Sequence, residues 1–284
     1  RAAGSNLRIL ADNIWDYSHD DIPEAWRLIG EDPRDDVRAP QFAQLVRAFM
    51  PDVLDLQEYS LHMHQQFYPL IRRYGYRIAY EGEEPWNNTP IFYNPETVEL
   101  VDVNYVLYAP SCWSNIGSKS YTSAVFRKKD TGRLFAVVNT HLWWKSEAAQ
   151  PGSTYARAAQ VRLMMAEAEV LKNKYGCTIF VTGDMNAYED SLPIRQFIEG
   201  GYTPCYKAAT DATDNGNGHH ICGPKDGYSR TSRRRSPDRE KGAIDHCFIY
   251  NAQEGVAVKV FDCITARITV KLTDHYPYLI DAAL

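Results

Sequence analysis

Seven places in the chain put a polar side chain where an apolar run ends: Asn13, Glu58, His141, Asp184, Asn186, the Asp245-His246 pair and the Asp274-His275 pair. Carboxylates and carboxamides supply the hard oxygen donors that Mg²⁺ or Mn²⁺ prefers, and histidine suits phosphate binding or proton transfer. No cysteine stands at these positions to offer a thiolate. Each ending alone is explained by turn chemistry or a solvated strand end. Seven on one chain, with complementary chemistry, are poorly explained as independent turns. The sharpest is Thr178-Ile179-Phe180-Val181-Thr182-Gly183-Asp184-Met185-Asn186. Five residues that favour extended backbone lead into a glycine that lets the chain turn sharply or approach another group. The acid and the amide then leave the sheet at its carboxyl end, where open α/β sheets hold ligands.

The elements that must carry these residues alternate along the chain. Leu7 to Asn13 alternates apolar and polar residues as a strand does. Phe42, Leu45, Val46 and Phe49 form the stripe of an amphipathic helix over residues 34–50, ended by Pro51. Residues 52–58 read as a second strand ending in Glu58. A helix is expected over 59–74, with Leu61, His64 and Phe67 inward. His62 and His64, two residues apart, point to different helix faces and read as surface or packing residues. Strands follow at 76–80, 90–93 and 98–108, with a loop at 83–88. A hairpin over 121–127 and 134–142 turns through Asp130-Thr131-Gly132 and delivers His141 to its end. Val161, Met164, Met165, Ala168 and Leu171 mark a helix over 155–175, and a short helix with Pro193 in its first turn spans 192–199. Residues 207–242 lose all periodicity, as a functional or mobile segment does. Strands at 243–250, 256–261 and 267–272 close the chain, the last running into Thr273-Asp274-His275. No repeat, heptad or linker divides residues 1–284, which read as one domain.

A chain of 284 residues with 44% hydrophobic content can bury a large core. No segment approaches the ~18 consecutive apolar residues of a membrane span. A formal charge of -5 gives no general attraction to polyanions and disfavours a nonspecific nucleic-acid binder. The six cysteines are too widely spaced for a zinc ribbon and too few for a disulfide scaffold of this size, which leaves their redox state open. The start at Arg1 fits removal of a signal peptide and equally a trimmed cytosolic protein; the expectation leans to a secreted or periplasmic monomer.

In their order, Asp12-Asn13, Leu56-Gln57-Glu58, Asn139-Thr140-His141-Leu142, Gly183-Asp184-Met185-Asn186, Ala243-Ile244-Asp245-His246 and Thr273-Asp274-His275 make the chain resemble the endonuclease/exonuclease/phosphatase superfamily. That group includes deoxyribonuclease-I-like nucleases, deadenylases, inositol-polyphosphate 5-phosphatases and neutral sphingomyelinases. The resemblance implies a four-layered α/β sandwich, two packed mixed β-sheets flanked by helices, and a Mg²⁺- or Mn²⁺-dependent phosphoesterase. It makes Glu58 the principal metal ligand, with Asn13 and Asp274 lining the metal region. Asp184 would orient and deprotonate the attacking water, and Asn186 would position that water or the phosphate. His275, oriented and kept cationic by Asp245, and His141 would donate hydrogen bonds to the phosphate.

Some residues depart from the pattern. Trp15 stands where an abasic-site endonuclease of the superfamily would carry Asp. Trp143-Trp144-Lys145 resembles the deadenylase and bacterial phosphohydrolase branches, where an aromatic such as Trp143 stacks on a base or sugar; a packed aromatic pair is the alternative. Arg233, Arg234 and Arg235 are either a solvated run or a second phosphate-binding cluster. Basic residues only slightly outnumber acids in that segment. A compact phosphorylated molecule or a phospholipid headgroup is therefore expected as substrate ahead of nucleic acid. A nuclease, and a catalytically silent phosphate-binding module, are the alternatives.

Overall fold

The structure is a computed structural model that describes residues 1–17, 32–82, 86–108, 119–212, 243–264, 269 and 272–284. In these, a seven-stranded sheet has the order β10-β12-β13-β1-β2-β4-β3, where β1 is Leu7–Asn13, β2 Val53–Gln57, β3 Arg77–Ile78, β4 Ile91–Tyr93, β10 Asp211–Ala212, β12 Ala257–Cys263 and β13 Tyr278–Ala283. A six-stranded sheet has the order β5-β6-β7-β8-β11-β9, with β5 Val98–Leu107, β6 Ser120–Lys128, β7 Leu134–His141, β8 Thr178–Asp184, β9 Thr203–Pro204 and β11 Asp245–Tyr250. Helices α1 (Asp35–Phe49) and α2 (Leu61–Arg72) lie on the first sheet. Helices α3 (Ser153–Tyr175) and α4 (Leu192–Glu199) lie on the second, and a single turn, α5 (Cys205–Ala208), follows β9.

The period-two geometry of a strand explains the four layers. Leu7, Ile9 and Ala11 of β1 face Phe135 and Val137 of β7 and Phe180 of β8 across the space between the sheets. The alternate residues turn outward: Leu10 packs with Phe42, Val46 and Phe67 of the helices, and Ala136, Val138, Ile179 and Val181 pack with Val161, Met164 and Phe197. Strands buried on both faces must be apolar almost throughout, which is why β8 reads as a continuous apolar run. The sandwich expected from the superfamily resemblance is the fold observed.

Three expectations need correction. The closing strand is Tyr278–Ala283, not residues 267–272; of the latter, the described Thr269 and Leu272 are not in a strand, and Leu272 N–H bonds back to the Thr269 carbonyl in a turn. What stabilises β13 is its pairing with β1, which sets Arg8 opposite Asp281 in a 2.7 Å ion pair. Leu61 is 53% exposed, because as the first residue of α2 beside the cap Ser60 it points away from the sheet, and Met63 turns inward instead. Most of the aperiodic segment, residues 213–242, lies outside the described residues, and the part before it holds α5 and the short strand β10.

Between the sheets, Asp55 of β2 is fully buried and accepts a 2.8 Å hydrogen bond from Thr182 Oγ1. Burial pushes its carboxyl up to about 7 against that hydrogen bond. A folded pKa above the ~3.9 of an unfolded aspartate means that the folded state holds the extra proton. Its stabilisation is full below about pH 4 and is lost as pH rises towards 7. Asp55→Asn keeps the acceptor for Thr182 without the charge. Urea unfolding at pH 5 and pH 8 should show the variant gaining on the parent by roughly 1–3 kcal/mol at the higher pH. Parallel pH profiles for the two proteins would show that Asp55 stays ionised.

Candidate active site

Strand register brings the polar strand ends into one place. β7 and β8 run parallel with His141 beside Asp184, and β11 runs antiparallel to β8 with Asp245 on the other side of Asp184. These three therefore form a row across one end of the six-stranded sheet. In the other sheet β1 and β2 run parallel with Asn13 beside Gln57, and Glu58 follows at once. The two sheet ends meet across Asn13, whose Nδ2 donates to Asp184 Oδ2 at 2.9 Å and to Glu58 Oε1 at 3.2 Å. His141 Nε2 lies 3.4 Å from Asp184 Oδ2 and 3.7 Å from Glu58 Oε1. His275, three residues before β13, sets Nδ1 2.8 Å from Asp245 Oδ2, and its Nε2 lies 3.8 Å from Asp184 Oδ2 and 3.9 Å from Asp274 Oδ1.

The backbone at the site is bent into the left-handed region at three non-glycine residues, Trp15 (φ 58°), Glu58 (φ 55°) and Asn186 (φ 46°). Such conformations cost on the order of 1 kcal/mol each and persist only where their surroundings impose them. The hydrogen bonds that impose them come from the site itself. Trp15 N–H donates to Asn13 Oδ1, Asp16 N–H to Glu58 Oε2 and Asn186 N–H to Asp184 Oδ1, each at 2.9 Å, and Asn186 Nδ2 donates to the Leu142 carbonyl at 3.2 Å. Thr273 Oγ1 donates to the Asn13 carbonyl and accepts from His275 N–H, tying the end of β1 to the closing loop.

Charge is divided between the two histidines. Burial and the nearby Lys119 ammonium push His141 down to about 4, so its ring is neutral at pH 7. Burial also opposes a proton on His275, but Asp245, Asp184 and Asp274 outweigh it and lift His275 well above the usual imidazole range. Burial, helped by the Asp184 and Asp274 carboxylates, drives the Asp245 carboxyl up to about 7 against the pull of His275, in competition for the same proton. Asp184 and Asp274 also face the ring, so the proton belongs on His275 and the charge on Asp245. Burial likewise works against ionisation of Asp184, yet His275 and the Asn186 N–H keep its carboxyl below the ordinary range.

Asn13, Glu58, His141, Asp184, Asn186, Asp245, Asp274 and His275 are thus brought together, as the sequence predicts. Trp143 is not presented to the site: it is 6% exposed, and its indole N–H reaches Ser153 Oγ at 3.3 Å. The exposed aromatic is Trp144, at 58%, with the Lys145 ammonium 5.5 Å from its ring centre. Packing against α3 decides between the two readings of that pair in favour of a packed Trp143. His246 turns away to bond the Ala187 carbonyl. Arg233, Arg234 and Arg235 lie outside the described residues.

Two residues that the structure places at or beside the site escape the sequence reading. Lys119 is buried, with Nζ 2.9 Å from His141 Nε2 and 3.0 Å from His141 Nδ1; burial pulls its ammonium below the usual lysine range, against Glu58 and Asp184, which favour the charge. It precedes Ser120, the register partner of His141, so the pairing of β6 with β7 predicts its place. Arg38, fully buried, donates to the carbonyls of Ile14, Trp15 and Leu272 and to Asp35 Oδ1. It clamps the end of β1 to the loop that carries His275. Its sequence signal is position: four residues before Phe42, a charge lies on the apolar stripe of α1.

The sequence profile of the Endonuclease/Exonuclease/phosphatase family matches residues 26–275. The chain belongs to that family. No curated protein matches it. Among solved structures it is similar to the endonuclease/exonuclease/phosphatase from Bacteroides vulgatus, with 22% identity, 98% of each chain covered and a TM-score of 0.71. It is also similar to a mannosyl-6-phosphatase from Bacteroides thetaiotaomicron, at 18% identity over 98% of this chain and 100% of that one, TM-score 0.73. A third is D. rerio TDP2 complexed with a single-strand DNA product, at 16% identity over 97% and 98% of the two chains, TM-score 0.66. At these identities the likeness is one of fold.

Members of the endonuclease/exonuclease/phosphatase family are divalent-metal-dependent hydrolases, and the donors here fit such an ion. One ligand atom each from Glu58, His141 and Asp184 lie within 4.8 Å of one another, and a second group joins Asp184, Asp245 and His275. Because Asp245 and His275 are already an ion pair, the first group is the better cradle. Its two carboxylates, with the Asn13 carboxamide beside them, are hard donors of the kind Mg²⁺ and Mn²⁺ take. The described cysteines are all elsewhere.

Proposed function

We propose that this chain is a Mg²⁺- or Mn²⁺-dependent phosphoesterase that hydrolyses a small phosphorylated molecule or a lipid headgroup by in-line attack of an activated water. The observation that carries the reading is Asp184, a buried ionised carboxylate held between Asn13, neutral His141 and cationic His275, with Glu58 beside it. The ion, held by Glu58 with Asn13 and Asp274 in its surroundings, would supply electrostatic stabilisation of phosphate oxygens. Asp184 takes the proton of the attacking water at a carboxylate oxygen, and Asn186 fixes that water or the phosphate. His275 donates from Nε2 to a phosphate oxygen while Asp245 holds Nδ1. His141, neutral, donates one N–H to the phosphate, and Lys119 Nζ beside it adds a further donor, which Glu58 and Asp184 help to keep charged.

Lys119→Met should raise KM for a minimal phosphate ester by roughly 10-fold or more, the scale of a lost charge-assisted hydrogen bond, with Lys119→Arg recovering part of it. An unchanged KM would remove Lys119 from the phosphate site.

The substrate class rests on the net charge of -5, unsuited to tracking a polyanion. The family's neighbours span both classes, a phosphosugar phosphatase and a DNA-bound protein. The deciding experiment is a screen with and without Mg²⁺ on bis-p-nitrophenyl phosphate, p-nitrophenyl phosphate, inositol phosphates, sphingomyelin, single-stranded DNA and RNA. Hydrolysis is expected to vanish on chelation, to return with Mg²⁺ or Mn²⁺, and to be faster on the small substrates. Glu58→Gln should lower rate and metal dependence together, since the amide keeps the shape without the charge. Full activity after exhaustive chelation would refute the metal requirement. Rapid cleavage of plasmid DNA at physiological salt, with small phosphates untouched, would make the protein a nuclease. Tight phosphate binding with no turnover would make it a binding module.

A further inference from the structure

Cys205 and Cys247 face each other in the core between the sheets, 0% and 4% exposed, with their sulfurs 3.0 Å apart. The strand register explains why they meet. β9 pairs antiparallel with β11, Ile249 opposite Thr203 and Phe248 opposite Pro204, so one further step sets Cys247 opposite Cys205, where the chain leaves β9 for α5. Directly opposed residues of an antiparallel pair hold their Cβ atoms about 4.5–5.5 Å apart, and a disulfide needs about 3.5–4.5 Å. A small closing movement joins them. The other described cysteines have different surroundings: Cys177 lies in the layer beneath α3, and Cys263 packs with Tyr276.

The place where they meet is weakly held by other means. β9 is the edge strand of its sheet and only two residues long, and one of the two is a proline that cannot donate to the ladder. We propose that Cys205 and Cys247 form a native disulfide that fastens β9 and α5 to β11, the strand that begins with Asp245. Burial raises the Cys247 thiol well above its ordinary range and both sulfurs are shut off from solvent, so the bond forms while the chain folds. With oxidised glutathione as oxidant, one cysteine thiolate attacks the glutathione disulfide and releases one glutathione thiol. The second cysteine attacks the resulting mixed disulfide and releases the other. Two electrons pass to glutathione, and the two protein thiol protons end on the released thiols. Such a bond persists where the medium is oxidising.

The test is thiol mapping of the full chain refolded from denaturant in a glutathione redox buffer, against the same chain refolded with a phosphine reductant. After alkylation under denaturing conditions, peptide mass mapping should show Cys205 joined to Cys247, with Cys177 and Cys263 alkylated. The oxidised form should melt about 5 °C or more above the reduced one. Cys205→Ala, shown to be folded by circular dichroism, should lose both the cross-link and the redox-dependent shift. If that variant does not fold, Cys247→Ala serves, and the map of the unsubstituted chain decides in either case. Alkylation of both Cys205 and Cys247 in the oxidised sample, or their linkage to other cysteines, would overturn the proposal. Equal melting of linked and reduced protein would overturn the fastening role. None of these readouts depends on catalysis.

Discussion

Asp184→Asn should reduce turnover of a phosphate ester by roughly 10² or more with the fold retained, and His275→Ala should do the same. In the proposed mechanism the two serve different atoms, Asp184 the attacking water and His275 a phosphate oxygen. Asparagine keeps the size of the carboxylate and an acceptor for the Asn186 N–H, but it cannot take a proton from water. The loss should therefore fall in kcat more than in KM. Removing His275 takes away a cationic donor and leaves Asp245 buried without its partner, since the 2.8 Å contact is what keeps that carboxylate charged. Asp245 should then take up a proton at neutral pH, and Asp245→Asn combined with His275→Ala should cost little beyond His275→Ala alone. The measurement is steady-state kinetics on a minimal substrate, with thermal melts to show that each variant is folded. Near-normal turnover in either single variant would place the chemistry elsewhere.

Gly183→Ala should cost more in stability than any other single methyl group added near the site, about 4 kcal/mol or more, and should leave little folded protein. Two independent facts set that scale. The backbone there has φ +144°, outside the regions open to L residues, and a Cβ would fall 2.0 Å from the carbonyl oxygen of Thr140. Neither neighbour can yield. Thr140 is the register partner of Gly183 on central strand β7, and His246 is its partner on β11, so a shift large enough to admit the methyl group would break the ladder on both sides of Asp184. Gly183 N–H also donates to the Tyr278 hydroxyl at 2.9 Å, which ties the strand to the other sheet. Soluble expression and chemical denaturation check this. A melting temperature within a few degrees of the parent would mean that the backbone finds another path past Thr140.

Local order was legible because local order repeats. The alternation in β1, the apolar run of β8, the stripe on α1 and the Asp130-Thr131-Gly132 turn each need only neighbours within about ten residues, and the elements lie where those patterns put them. The same patterns ended four of the strands on an acid, an amide or a histidine, which is how Asn13, Glu58, His141 and Asp184 could be singled out before any contact between them was known. Residues 267–272 misled because β-favouring composition says nothing about a partner strand. Tyr278–Ala283 is a strand because β1 lies beside it.

The sequence by itself determined the alternation of elements, the family pattern and the chemical types at the site, since these follow from periodicity, motif order and residue chemistry; the sandwich was what the family resemblance implied. Tertiary structure alone decided which groups meet. The parallel pairing of β7 with β8 and the antiparallel pairing of β11 with β8 put His141 and Asp245 on either side of Asp184, from positions 43 residues before it and 61 after. It also decided that Trp143 packs inward, that Lys119 lies against His141 and that Arg38 holds the end of β1 to the loop before β13. Burial left His141 neutral, and the carboxylates of Asp245, Asp184 and Asp274 kept His275 charged against it. The physical reason is common to all of these: contacts between distant segments and the desolvation they impose depend on how the two sheets pack, and no window of sequence contains that packing.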